Sequence, residues 1–238
     1  MTSTPARGLH LAFCSHEAAK HAVFRWHYSR RMPKCKLVKI GVWEDGKFSG
    51  VVIYGLGANR HLASPFGLQP TEVCELVRVA LSPGRQYPTS QVVAVSLRLL
   101  RRQSPGLKLV VSFADLGQGH FGTLYQAGGW LYLGASEQSY LRIHGRVVHP
   151  RTVYDRYGRG GQSVVWLREN VDPKADRVEM AAKLRYVMPL TKALRRQLEP
   201  QAQPYPKRER SDTRDTPGAQ PGEGGATPTR SLHSPEGG

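Results

Sequence analysis

Residues 109–134 read LVVSFADLGQGHFGTLYQAGGWLYLG. Leu109 to Phe113 is a short apolar run rich in β-branched side chains, which predicts a buried strand rather than a helix. Side chains capable of chemistry follow at once: Ser112, Asp115, His120 and Tyr125 fall at the C-terminal end of that strand and on a short helix expected over Gly119 to Ala127. In open sheets, ligands bind in the crevice beyond the carboxyl ends of strands. Gly128-Gly129 is expected to stop the helix, and Trp130 to Leu133 to form the next strand.

Working outward, Leu9, Leu11 and Phe13 alternate as a half-buried first strand would, and Ser15 offers an N-cap to an amphipathic helix over His16 to His27. Lys36 to Tyr54 predicts a hairpin turning at Asp45-Gly46, the residue pair that a tight primed turn demands. Glu72 to Leu81 resumes strand character. A Pro/Gly loop leads from there to Thr89 or Ser90, the expected N-cap of a helix reaching Arg102. Strand, loop and helix N-terminus in that order form an anion site, because unpaired N–H groups and the helix dipole face the incoming charge. Beyond the opening stretch, Tyr140 to Ile143, Val147-Val148 and Ser163 to Leu167 are expected as strand pieces. Asp172-Pro173 is expected to start a helix towards Leu184.

The pattern is α+β with a central mixed sheet flanked by helices. It is expected as one domain over residues 1–199, with a disordered tail over 200–238, where seven prolines and six glycines leave little to bury. The formal charge of the chain is +16, yet the tail carries five basic and five acidic side chains. The excess therefore belongs to residues 1–199, with 29 basic against 13 acidic, and such an excess points to a polyanionic partner, above all nucleic acid. A solvated basic surface is the plainer alternative. The three cysteines, Cys14, Cys35 and Cys74, have no CxxC spacing, which speaks against a disulfide framework or a thiolate zinc site. With no run of about 18 apolar residues and no signal pattern, a cytoplasmic protein without a membrane partner is expected.

The order of elements resembles that of the GNAT acyltransferases. In that superfamily a helix N-terminus after the fourth strand holds coenzyme A pyrophosphate, and the fifth strand splays from the fourth to admit the acyl arm. Arg85-Gln86-Tyr87-Pro88-Thr89-Ser90 stands where their glycine-rich loop would be. A second resemblance rests on His27-Tyr28-Ser29-Arg30, Gly41-Val42-Trp43-Glu44, Glu75-Leu76-Val77-Arg78-Val79, Ser112-Phe113-Ala114-Asp115, and Gly119-His120 through Tyr125-Gln126-Ala127. Together they are similar to the phage DNA-modification family Mom, over roughly residues 15–170. That resemblance implies a GNAT-like enzyme that converts adenine in duplex DNA to its N6-carbamoylmethyl derivative and so shields phage DNA from restriction.

Asp115, just past an apolar strand, is placed to accept a proton from an amine, or else to cap the following turn. With His27 and Tyr125 it makes the expected catalytic set. Tyr125 is a candidate general acid or a stacking surface for a flipped base, with core packing as its rival. Arg78 and Ser112 on the strands, and Arg85 and Ser90 on the loop, are the expected donor-binding residues. The donor would be acetyl-CoA or another acyl or glycyl carrier. His27, Asp115 and His120 would form a 2-His-1-carboxylate set for iron(II) if they converged. DNA contacts are expected from Arg30, Arg31, Arg142, Arg146, Arg151, Arg156 and Arg159, with Lys34 and Lys36 beside the first group and Tyr154 and Tyr157 between the last. Double-stranded DNA is the expected partner, and a homodimer stays open. The rival readings are an N-acetyltransferase for a protein or small amine, and a basic nucleic-acid-binding module without turnover.

Overall fold

The computed structural model describes residues 8–56 and 61–207. Strand β1 (Leu9–Phe13) leads through the Ser15 cap, whose hydroxyl accepts from the Ala18 N–H, into α1 (His16–Trp26). Strands β2 (Leu37–Glu44) and β3 (Lys47–Gly55) form the hairpin. Its turn residues Asp45 (φ 49°) and Gly46 (φ 78°) are both left-handed, as a type I′ turn requires. Then come β4 (Val73–Leu81), α2 (Thr89–Gln103), β5 (Leu109–Asp115), α3 (Thr123–Ala127), β6 (Leu131–Ile143) and β7 (Arg146–Val148). Helices α4 (Pro150–Tyr157) and α5 (Val164–Asn170), strand β8 (Asp176–Pro189) and helix α6 (Lys192–Leu198) follow.

Among the described residues, eight strands form one mixed sheet, in the order β1-β2-β3-β4-β5-β8-β6-β7, and of these only β4 and β5 pair in parallel, from Val73 opposite Leu109 to Glu75 opposite Val111. From Leu76 and Ser112 onward the two strands diverge, which is the splay expected of the GNAT architecture. Just inside the divergence β4 carries an irregularity: Ile53 pairs with Arg78 and Tyr54 with Leu76, so Val77 is the extra residue of a bulge.

Two faces follow from the alternation of side chains along each strand. On one, Ile40, Val52, Tyr54, Leu76, Val110, Ala114 and Tyr186 pack with Val92, Val93, Leu97 and Leu100 of α2. On the other, Val51, Ile53 and Ala80 receive Ala19, Ala22 and Val23 of α1, while Leu109, Val111 and Val187 receive Leu194 and Leu198 of α6. A fourth cluster stands apart. Leu141, Ile143, Val153, Leu167 and Ala175 form a small core where β6 and β7 meet α4 and α5.

Four expectations change. The helix after β5 begins at Thr123, not Gly119, because Gly119 (φ 68°) and Gly122 (φ 79°) hold the backbone left-handed between a 3-10 turn and α3. Trp130 to Leu133 and Tyr140 to Ile143, expected as separate pieces, belong largely to one 13-residue strand, β6. Ser163 to Leu167 is not a strand: Ser163 accepts from the Trp166 N–H and caps α5. The helix expected from Asp172 is strand β8. The Asp172 carboxylate accepts from the N–H groups of Lys174 and His144, closing a turn rather than opening a helix. Strand β8 then fills the place between β5 and β6, so tertiary pairing overrides the local helix-start signal.

The expected domain end after residue 199 falls inside the described chain. Beyond it the Gln203 N–H donates to the Tyr132 carbonyl, and the Tyr205 hydroxyl to the Trp130 carbonyl at 2.7 Å. The rest of the expected tail, 208–238, lies outside the described residues.

Candidate active site at the strand divergence

Where β4 and β5 part, Leu76 has no strand neighbour on that side to hydrogen-bond its carbonyl. The Ser112 hydroxyl supplies the bond, donating to the Leu76 carbonyl at 3.0 Å. With the Ser112 proton committed there, the Tyr125 hydroxyl 2.8 Å away is the donor to Ser112 Oγ. Burial pushes the Tyr125 pKa up to about 12. The phenol therefore stays protonated, holds its proton towards Ser112, and offers the cleft a lone pair. Its ring is wedged between Tyr186, stacked at 4.9 Å, and Trp130 at 5.1 Å. The Tyr186 hydroxyl in turn donates to the Phe121 carbonyl at 2.9 Å, tying the loop after β5 to β8.

The other wall comes from the end of α1. His27 caps that helix, and its Nδ1 accepts from both the backbone N–H and the hydroxyl of Ser29, at 3.1 and 2.9 Å. A backbone N–H can only donate, so the ring proton of neutral His27 sits on Nε2. Burial, helped by Arg78 and His120, lowers the His27 pKa to about 4. His27 is thus a neutral hydrogen-bond donor, not a base, in ordinary buffers. Tyr28 stacks on it at 4.4 Å and meets the His120 ring edge-on at 5.5 Å. It is 56% exposed, so a large aromatic face stands open at the cleft.

Arg78 lies on the same face as His27, following the bulge. Its guanidinium folds back to donate to the Val77 carbonyl, and its Nε–H is buried without a partner among the described residues. Asp115 ends β5, and one of its oxygens caps the following turn by accepting from the Gly117 N–H at 2.9 Å. That cap uses only Oδ1 of the carboxylate. Arg78 and Asp115 both lie close enough to Tyr28 to act on its phenol: burial raises that pKa, Arg78 opposes the rise and Asp115 adds to it.

The structure thus brings together His27, Arg78, Ser112, Asp115, Tyr125 and His120. It does not gather them as a metal centre. Among the described residues no group of three or more His, Cys, Asp or Glu side chains is arranged to hold a metal ion, and the Tyr28 ring contacts both the His27 and His120 rings. The expected iron set of His27, Asp115 and His120 does not fit. Arg85 and Ser90 lie elsewhere, on the loop from β4 into α2. Arg85 is exposed and bonds back to the Ser82 carbonyl, and Ser90 sits in the first turn of α2, whose cap is Pro88, not Thr89 or Ser90. There the Gln86 N–H donates to Glu44 Oε2 at 2.7 Å.

One residue of the site carries little signal in the sequence: Tyr28 stands out there only as the neighbour of His27.

The basic side chains divide into two groups. Arg30, Arg31, Lys34 and Lys36 lie just beyond the His27–Tyr28 corner, all four exposed. Around the small core of α4 and α5, Arg146, Arg156 and Arg159 are exposed, with Arg156 over the Tyr157 ring at 5.3 Å and Tyr154 half-exposed. Arg151 is exposed as well. Arg142 is not free: it pairs with Asp176 at 3.2 Å.

Solved structures that the chain resembles include an aminoglycoside acetyltransferase AAC(6')-Ib in complex with coenzyme A and kanamycin. That match has 9% identity and a TM-score of 0.46, and covers 80% of this chain and 98% of that one. Another is the ribosomal-protein-S18-alanine N-acetyltransferase from Escherichia coli, at 10% identity and a TM-score of 0.42, covering 77% and 94%. In sequence the chain is 29% identical over 187 residues to the methylcarbamoylase mom of Escherichia phage Mu, covering 76% of each protein. The model of the Mom protein family matches residues 8–207. This span takes in the whole sheet and every residue of the cleft, and the chain belongs to the Mom protein family.

Proposed function

We propose that this protein is a phage DNA-modification transferase that places a carbamoylmethyl group on N6 of adenine in double-stranded DNA, in the cytoplasm of the bacterial host. The observation that carries the reading is the grouping of Tyr28, His27, Arg78 and Asp115 at the strand divergence, in a chain of the Mom family. An adenine inside a duplex is out of reach of any such cleft, so the base is flipped, at a cost of about a few kcal/mol. The open face of Tyr28 is suited to stack on the flipped base, which offsets part of that cost.

Each side chain then has a role. The oxygen of Asp115 not used by Gly117 accepts the proton that N6 loses as its bond to the methylene carbon forms and that carbon's bond to its leaving group on the donor breaks, the electron pair going with the leaving group. The Nε2–H of neutral His27 donates to a ring nitrogen of the base or to a carbonyl of the donor. The unpartnered Nε–H of Arg78 binds the oxygen of the two-carbon unit. Tyr125 and Ser112 hold β5 at its separation from β4. The product is joined through a methylene carbon, so plain acetyl transfer, which leaves a carbonyl on the nitrogen, does not complete the reaction. The donor is an acyl or glycyl carrier. Arg30 and Arg31 on one side and Arg146, Arg151, Arg156 and Arg159 on the other are placed to meet phosphates.

The test is mass spectrometry of nucleosides from plasmid grown with the protein. Deoxyadenosine heavier by one carbamoylmethyl unit is expected, and it disappears with Asp115→Asn while DNA retention at low salt persists. Unmodified adenine under good expression of the folded protein refutes the reading.

A further inference from the structure

The fold type implies coenzyme A, whose pyrophosphate would lie against the backbone N–H groups between β4 and α2. The residues present do not fit it. A loop that cradles a pyrophosphate needs a run of free N–H donors and no fixed negative charge beside them. Here the first donor is taken, because the Gln86 N–H already binds Glu44 Oε2 at 2.7 Å. Pro88, the N-cap of α2, has no N–H to give. The Gln86 side-chain amide is also held, by Asp45 Oδ2 at 3.2 Å, so two carboxylates flank the place where a doubly charged group would sit.

Glu44 is only 7% exposed, and its other oxygen, Oε1, is buried with no hydrogen-bond partner among the described residues. A buried acceptor without a donor is costly, and an incoming phosphate oxygen, itself an acceptor, cannot satisfy it. A hydroxyl or amine can.

We infer that Glu44 and Pro88 close the β4–α2 loop to the pyrophosphate of coenzyme A, so that the two-carbon donor arrives on a carrier that presents a hydrogen-bond donor, not a pyrophosphate, to Glu44. Glu44 acts as an internal anion at the helix entrance. The inference deepens the proposed transferase reading by narrowing the donor class, and its test does not depend on the acceptor.

Calorimetric titration of the full chain with coenzyme A and with acetyl coenzyme A decides it. The unaltered protein is expected to give no saturable binding below millimolar ligand. Glu44→Ala combined with Pro88→Gly frees two donors and removes one charge, and is expected to raise the affinity for coenzyme A at least about tenfold. Glu44→Gln keeps an acceptor for the Gln86 N–H while removing the charge, and is expected to gain less. It also serves as the folded comparison should the double variant lose its thermal transition. Micromolar binding by the unaltered protein overturns the inference, as does the absence of any gain in a folded variant. Modified deoxyadenosine in cells expressing the unaltered protein is compatible with either result, so failure of the donor inference and failure of the DNA-modification reading are told apart.

Discussion

Replacing Ser112 with alanine separates support of the cleft from chemistry within it. The Ser112 hydroxyl donates to the Leu76 carbonyl and accepts from Tyr125, all within the region where β4 and β5 no longer pair. Ser112→Ala leaves a carbonyl and a phenol without partners, and at about 1–3 kcal/mol for each buried group the expected cost is about 3 kcal/mol. Tyr125→Phe keeps the ring stacking on Tyr186 and Trp130 and loses one hydrogen bond, so about 1 kcal/mol is expected. In the double variant only the Leu76 carbonyl is orphaned, and the cost falls to about 2 kcal/mol, roughly 2 below the sum of the single changes. Urea unfolding of the four proteins, compared by midpoint at constant slope, measures this coupling. Additivity within about 0.5 kcal/mol, or a Tyr125→Phe cost equal to that of Ser112→Ala, refutes the hydrogen-bond order from Tyr125 through Ser112 to Leu76.

Other outcomes are expected. His27 titrates near pH 4 when folded and near its ordinary value of 6.5 when unfolded. The unfolded chain therefore binds more protons between those values, and stability falls as the pH drops from 6.5 towards 4. His27→Asn, which retains an acceptor for Ser29, flattens that part of the profile, and a folded-state His27 resonance titrating near its ordinary value contradicts the assignment. Gly122→Ala lowers the melting temperature sharply, because the position has a φ of 79° and an added Cβ runs into the Tyr186 ring. An unchanged melting curve would show that the loop does not lean on Tyr186. Arg156→Ala and Arg159→Ala together reduce the slope of log DNA affinity against log salt by about 0.9 for each phosphate no longer neutralised, measured by fluorescence anisotropy. A slope equal to that of the parent removes α4 and its flank from the DNA-binding surface.

Local signals were enough for the first turns of the chain. The Asp45-Gly46 turn and the Ser15 cap each state their geometry within a few residues, and the structure follows them, whereas the alternation of β1 holds from Leu9 to Leu11 and fails at Phe13, which is 46% exposed. The strand divergence was legible only as part of a resemblance, since nothing in β4 or β5 alone announces where pairing stops. From residue 163 to 190 local signals misled. Ser163 to Leu167 is apolar enough for a strand, yet its cap and its place in the small core make it a helix. Asp172-Pro173 has the residues of a helix start, but the Asp172 carboxylate is drawn to the His144 N–H, 28 positions away in the chain. Of the candidate residues, His27, Arg78, Ser112, Asp115, Tyr125 and His120 converge, but the tautomer of His27 and the direction of the Tyr125 proton depend on Ser29 and Leu76, partners that no motif marks.

The small core beneath α4 and α5 shares no buried residue with the clusters that pack the main sheet. A unit with its own apolar centre opens with its own free energy, below that of the whole molecule. Amide hydrogens of α4 and α5 should therefore exchange with solvent sooner than those of β3 or β5, and a protease should find the Gly158–Gly161 bend before it finds the cleft. If the proposed DNA contacts of Arg156 and Arg159 form, bound DNA would slow both, and exchange in these helices would then follow DNA occupancy without any turnover.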